Sequence, residues 1–277
     1  MGQARNDEWS IFVVVMKQFI LILICLLSFE INAQNNATEF KGKAFTTDQT
    51  GSYYEIYSNQ IKKIGKNGQR QFTYSNNILG EITSVDVFNP MKIVVFFKDF
   101  SKIVILDNTL TEQGSVLDLN EVSLEETSLV CTSYNNGIWY YNPVKFQLTR
   151  IEHFSKSSNT SANISTILNK NIQPNFLVEY NNKVYLNDPV NGILVFDIYG
   201  TYLKTIPIYN LNTFQVKENY LLYVSEEGHI ETYDFFTLEQ AVFKPIEYAN
   251  IKWVRIENKN IYIINSKNEL IIEKIDL

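Results

Sequence analysis

The chain has 277 residues, room for one large all-β domain or two small ones, and 45% of them are apolar against 19% charged, which argues against global disorder. The formal charge is −6, and without residues 1–33 (Arg5, Lys17, Asp7, Glu8 and Glu30 removed) 22 basic side chains face 27 acidic ones. A mildly acidic chain with no basic cluster is a poor match for nucleic acid or anionic lipid surfaces, so no nucleic-acid partner is expected.

Met16-Lys17-Gln18 precede an 11-residue apolar run, "FILILICLLSF", that ends in "EINAQNN". The run is short for a bilayer span and suits the core of a secretory signal, with Ala33 at the cleavage position. Residues 1–33 therefore read as upstream sequence plus signal, with Met16 as the true start. A periplasmic or secreted protein is expected, with no stable membrane insertion after cleavage. The alternative is an anchor retained through residues 11–29, against which Lys17 counts. Cys25 lies inside the apolar run and not after a small residue at its end, so lipidation is not expected. That leaves Cys131 without a partner in the mature chain, an inert thiol in the apolar run "SLVCTSY".

Residues 34–277 read as one domain built from a repeat. Each unit holds a β-rich run, a polar turn and a second run with partial period-two alternation, as in "VVFFKDFSKIVILDNTL" and "VYLNDPVNGILVFDIYG". One apolar marker falls in the first run of each unit: Ile56, Phe96, Tyr140, Tyr185, Tyr223 and Tyr262. The intervals are 40, 44, 45, 38 and 39 residues. A further run precedes most of these hairpins and another follows. Four strands in about 40 residues is the period of a propeller blade. Aromatics at 14% favour strands, and turns lean on Asn and Asp, since Gly and Pro number only 11 and 6. The Asp197-to-Gly200 spacing is a turn device, with Asp107, Asp234 and Asp276 in similar places. The last unit stops one strand short, and "TEFKGKAFTT" (38–47) is available to supply an outer strand there, an inner strand of the first unit, or both. The polar stretch 152–175 reads as a solvated insertion with a helical turn near Ser165.

On "ILVFDIYGTYLKTI" and its five weaker relatives, the chain resembles the six-bladed β-propellers of the NHL/TolB-like kind across residues 38–277. The resemblance implies an all-β fold, a single propeller of six four-stranded blades, which the signal peptide read from residues 16–33 would precede. Its motifs specify how a blade is built and leave the ligand open, because that group holds scaffolds, ligand binders, lactonases and cyclising transferases.

The search for chemistry yields little. There is no G-x-S-x-G, H-E-x-x-H, C-x-x-C or Walker loop, and "GKNGQ" (65–69) reads as a hairpin turn. The two histidines, His153 and His229, fall in different units, so no His-rich metal site is expected. "DPVNG" (188–192) is a turn with only a faint likeness to a calcium loop. Lactonases similar to this fold hold a divalent cation in the central channel, and Asp86, Glu179 and Glu257 lie on the innermost runs here. Their positions along those runs do not match, and no convergent set emerges. No catalytic or metal-binding residue is assigned and no cofactor is expected, although an all-oxygen Ca²⁺ site stays open. The turns between second and third strands offer Asp99, Phe100, Lys145, Asp188, Asn191, Glu226, Glu227 and Lys267 as binding candidates. Their mixed charge suits a protein or peptide partner. The expectation is a non-enzymatic interaction or scaffold module of the periplasm or cell envelope. The alternative is a lactonase-like small-molecule hydrolase with a channel cation.

Overall fold

Six antiparallel sheets of four strands each follow one another along the chain. The computed structural model describes residues 37–66, 68–152, 158–243 and 250–275. After β1 (Thr38–Glu39), blade one takes β2 (Ala44–Thr47), β3 (Tyr53–Ile56), β4 (Gln60–Ile64) and β5 (Arg70–Ser75). Blade two takes β6 (Ser84–Asp86), β7 (Ile93–Phe97), β8 (Lys102–Leu106) and β9 (Leu117–Asp118). Blade three is β10 (Leu129–Thr132), β11 (Gly137–Asn142), β12 (Gln147–Glu152) and β13 (Ser158–Thr160). Blade four is β14 (Phe176–Tyr180), β15 (Lys183–Asp188), β16 (Gly192–Asp197) and β17 (Tyr202–Ile206). Blade five is β18 (Phe214–Lys217), β19 (Tyr220–Val224), β20 (Ile230–Asp234) and β21 (Gln240–Val242). Blade six is β22 (Ile251–Glu257), β23 (Asn260–Asn265) and β24 (Glu269–Lys274), with β1 as its fourth strand. The molecule is a six-bladed β-propeller.

Packing between blades explains why the second strands are apolar throughout. All five side chains of β7 are buried. Ile93, Val95 and Phe97 pack on blade one with Tyr54, Ile56 and Ile61, while Val94 and Phe96 pack on blade three with Val130, Ile138 and Tyr140. A strand covered on both faces needs no polar alternation. The six marker residues all lie on second strands, and all are buried. The described core divides into six clusters, each spanning two neighbouring blades.

The ring closes in blade six, where Thr38 pairs with Leu270 and Glu39 with Glu269. Residues 38–47 thus serve twice in succession, as the outer strand of the last blade and the inner strand of the first. Phe40 sits between these roles, 3% exposed, edge-on to Phe45 and Trp253 at 6.1 and 5.9 Å. Tyr262 donates its hydroxyl to the Gly51 carbonyl oxygen at 2.9 Å, and Asn258 Nδ2 donates to the Gln49 carbonyl, joining blades six and one again.

The turns follow local chemistry. Asp197 Oδ1 accepts the backbone N–H groups of Tyr199 and Thr201, and Gly200 takes a φ of 85°. Asp107 and Asp234 do the same after their own third strands; Asp276 lies outside the described residues. Asn pairs 135–136 and 181–182 take positive φ in the tight turns between first and second strands.

The polar stretch 152–175 is not loop throughout. Ser158–Thr160 pair with β12 as the outer strand of blade three, and α1 (Ile164–Leu168) follows, capped by Asn163 Oδ1 on the Thr166 N–H. An outer strand is exposed on both faces, so pairing there needs no apolar residue. That is why this one left no hydrophobic mark.

Candidate functional site

The six first strands, β2, β6, β10, β14, β18 and β22, line a central channel of about 670 Å³. Its wall is mixed, with Phe176, Phe214 and Trp253 toward one mouth and Gln215, Lys217 and Arg255 among the polar groups. Three carboxylates lie on these strands: Asp86 ends β6, Glu179 is the penultimate residue of β14, and Glu257 ends β22.

Each of the three is bound to a neighbouring blade. Asp86 Oδ2 accepts the backbone N–H and the hydroxyl of Thr132 in blade three, at 2.7 and 2.8 Å, and Oδ1 accepts the Phe88 N–H. Glu179 reaches back to blade three, accepting from Trp139 Nε1 at 2.7 Å, Tyr134 N–H at 3.0 Å and the Ser133 hydroxyl. Glu257 accepts from Gln215 Nε2 at 2.8 Å and Lys217 Nζ at 3.1 Å in blade five, and from the Thr47 hydroxyl of blade one at 3.5 Å. Burial raises the Glu257 carboxyl above its usual range, and the Lys217 charge opposes that rise. Arg255, on the same strand, donates Nη1 to the Phe214 carbonyl oxygen at 2.7 Å. Burial lowers its guanidinium pKa to about 10, against the attraction of Glu257 and Asp86. Among the described residues, no group of three or more His, Cys, Asp or Glu side chains is placed to hold a metal ion.

A second cavity, of about 360 Å³, opens among the turns joining first and second strands in blades two, three and four. Phe88 and Tyr180 meet edge-to-face at 5.9 Å on its wall and also line the channel. Lys92 and Tyr134 complete it; the guanidinium of buried Arg150 stacks 3.6 Å from the centre of the Tyr134 ring. None of these residues was singled out by sequence. The nearest signal was the pair of Asn-Asn dipeptides, which mark the turns and not the side chains the turns bring together.

The binding candidates read from sequence lie on second-to-third-strand turns, as expected, at the end of the disc away from this cavity. Asp99 and Phe100 form a 3-10 turn between β7 and β8, with Phe100 about half exposed. Lys145 lies between β11 and β12, Glu226 and Glu227 between β19 and β20, and Lys267 between β23 and β24. Asp188 and Asn191 are there too, but turned inward. Asp188 is fully buried and accepts the N–H groups of Gln173, Val190 and Asn191; Asn191 Nδ2 donates to the Asn171 carbonyl. These two side chains fasten their turn to the segment after α1, and Val190 between them is the exposed tip. His229 borders β20, and His153 lies outside the described residues. Cys131 is buried on β10, where desolvation holds its thiol well above the usual pKa.

No protein-family model matches the chain, and no curated protein matches it. Solved propellers do. A streptogramin B lyase superposes with a TM-score of 0.56 at 14% identity, over 87% of each chain. The structure of BBS1N in complex with ARL6DN superposes at 0.55 and 13% identity, over 84% of this chain and 78% of that one. The Pan2 WD40 domain of Neurospora crassa gives 0.53 and 11%, over 83% and 74%. An enzyme, a partner-bound domain and a WD40 domain share this fold, and at such identities the likeness is of fold alone.

Proposed function

We propose that the chain is an exported, non-enzymatic propeller that serves as a protein-interaction or scaffold module of the periplasm or cell envelope. The observation that carries this reading is the engagement of Asp86, Glu179 and Glu257. Every carboxylate on the described first strands is taken up by donors from an adjacent blade. A group committed to joining blades is a poor general base or cation ligand, since either role would strand its donors. The partner-bound propeller among the structural neighbours, BBS1N with ARL6DN, is consistent with a protein partner. The export reading rests on Lys17, the apolar core after it and Ala33.

Cross-linking of the full chain in cells of its native host, with mass spectrometry of the products, tests the interaction. A recurrent envelope protein cross-linked to the propeller supports the reading. A strictly monomeric chain that is stabilised by several degrees by Ca²⁺, Mg²⁺ or Zn²⁺, reversibly with EDTA, would point to a cation-bearing hydrolase instead. N-terminal sequencing of the same material checks export: the expected first residue is Gln34, and an intact start would favour the anchor.

A further inference from the structure

Two charged side chains, Lys92 and Glu179, line the cavity of blades two to four. The Glu179 carboxylate is taken up by the Trp139 indole N–H, the Tyr134 N–H and the Ser133 hydroxyl, which leaves Lys92 as the group without a charged partner. Its ammonium donates to the carbonyl oxygens of Asn136 and Gly137, at 3.5 Å for the latter, both neutral acceptors on the next blade. No carboxylate stands within ion-pair distance of it among the described residues. Asp86 attracts it through space, but both Asp86 oxygens already accept neutral donors. Desolvation pulls the Lys92 pKa down in spite of that attraction. An ammonium half removed from water, facing a cavity with only carbonyl partners, favours an incoming anion. One such cation suits a monoanion better than a phosphate.

The wall beside it is aromatic. The Phe88 and Tyr180 rings stand at 79° to one another, an angled notch and not the flat platform a sugar ring stacks on. Phe88 is 39% exposed there. Asn135 and Asn182 are exposed at the rim, and their amides make no hydrogen bond to the described residues. A primary amide offers one acceptor and two donors, the complement of a peptide unit.

We infer that this cavity binds a peptide C-terminus by its terminal carboxylate, taken by Lys92, and by the apolar side chain of its last residue, taken in the notch of Phe88 and Tyr180. The inference rests on the protein-interaction reading and names the chemistry of its partner. It also places binding on the face opposite the tips favoured by sequence.

Fluorescence polarisation with the full chain tests it, using fluorescein-labelled Gly-Gly-Gly-Phe and Gly-Gly-Gly-Leu with free C-terminal carboxylates, each beside its C-terminal amide. At least one acid is expected to bind, about tenfold or more tighter than its amide. Lys92→Met should lower the acid to the level of the amide, Lys92→Arg should keep the preference, and Tyr180→Ala should weaken both forms. Thermal unfolding of each variant confirms that it is folded. The proposal is overturned if no acid binds below about 1 mM, if folded Lys92→Met keeps the acid-to-amide ratio, or if digalacturonate displaces the peptide more tightly than the peptide binds. Failure here is distinguishable from failure of the broader reading: envelope partners still captured by the Lys92→Met chain would leave the interaction module standing with its site elsewhere.

Discussion

Glu179 shows what a single side chain contributes to the ring. It accepts three donors from blade three, one of them the buried indole N–H of Trp139. Glu179→Ala leaves those donors without a partner, at a cost of about 2–4 kcal/mol, and Glu179→Gln, which keeps one acceptor oxygen, should cost less. Urea unfolding checks this; a loss under about 0.5 kcal/mol for the alanine variant would show that water replaces the carboxylate freely. These residues were visible in the sequence as acids on innermost strands, but their role was not. Asp86 and Thr132 are 46 residues apart, Glu179 and Ser133 also 46, and Glu257 and Gln215 42, about one blade each. Inconsistent positions along the strands argued against a metal set; the structure adds that each acid is matched to a neighbour one repeat away.

At the level of elements, legibility followed burial. Second and third strands were readable because packing on two blades demands continuous apolar residues, as in β7 and β16. Outer strands were weakest: β13 is "SNT" and β21 is "QAV", each largely exposed. The closing strand β1 is two residues long, and Phe40 immediately after it carries much of its hold. Phe40→Ala should destabilise the propeller by about 3–4 kcal/mol, or several degrees in Tm. A chain beginning at Gly51, which lacks both β1 and β2, should fall further. If that chain melts with the full-length form, closure through residues 38–47 contributes nothing. The candidate cavity was illegible for a related reason. Phe88, Lys92 and Tyr134 come from turns and Tyr180 from the end of β14, in three different blades, and no local pattern links them.

Across the molecule, many tyrosines lie within the blade interfaces, and burial sets their titration. It pushes Tyr53 up to about 12, helped by Glu55, and Tyr185 also to about 12; it drives Tyr54 and Tyr140 higher still. A raised pKa means the folded state holds its proton more firmly than the unfolded one. This stabilisation is full below the unfolded value near 10 and is lost as pH rises from there through the folded values. Stability should therefore drop between about pH 10 and 12, with phenolate absorbance rising cooperatively as the chain unfolds. Gradual phenolate formation near pH 10 with the fold intact would show that these hydroxyls reach solvent. The fold was legible at this scale because its repeat restates it, whereas function depends on side chains that the repeat does not constrain.

The composite sixth blade has a kinetic consequence. Its partners Thr38 and Leu270 lie far apart along the chain, so its assembly requires the largest loop closure among the described strands. Blades one to five can form from contiguous segments, while the seam must wait for both ends. Trp139 lies in blade three and Trp253 at the seam, and with Trp9 replaced by Phe, variants keeping one or the other provide separate clocks for refolding. The Trp139 signal should arrive first; equal rates would mean that the propeller assembles in one step, with the seam no later than the rest.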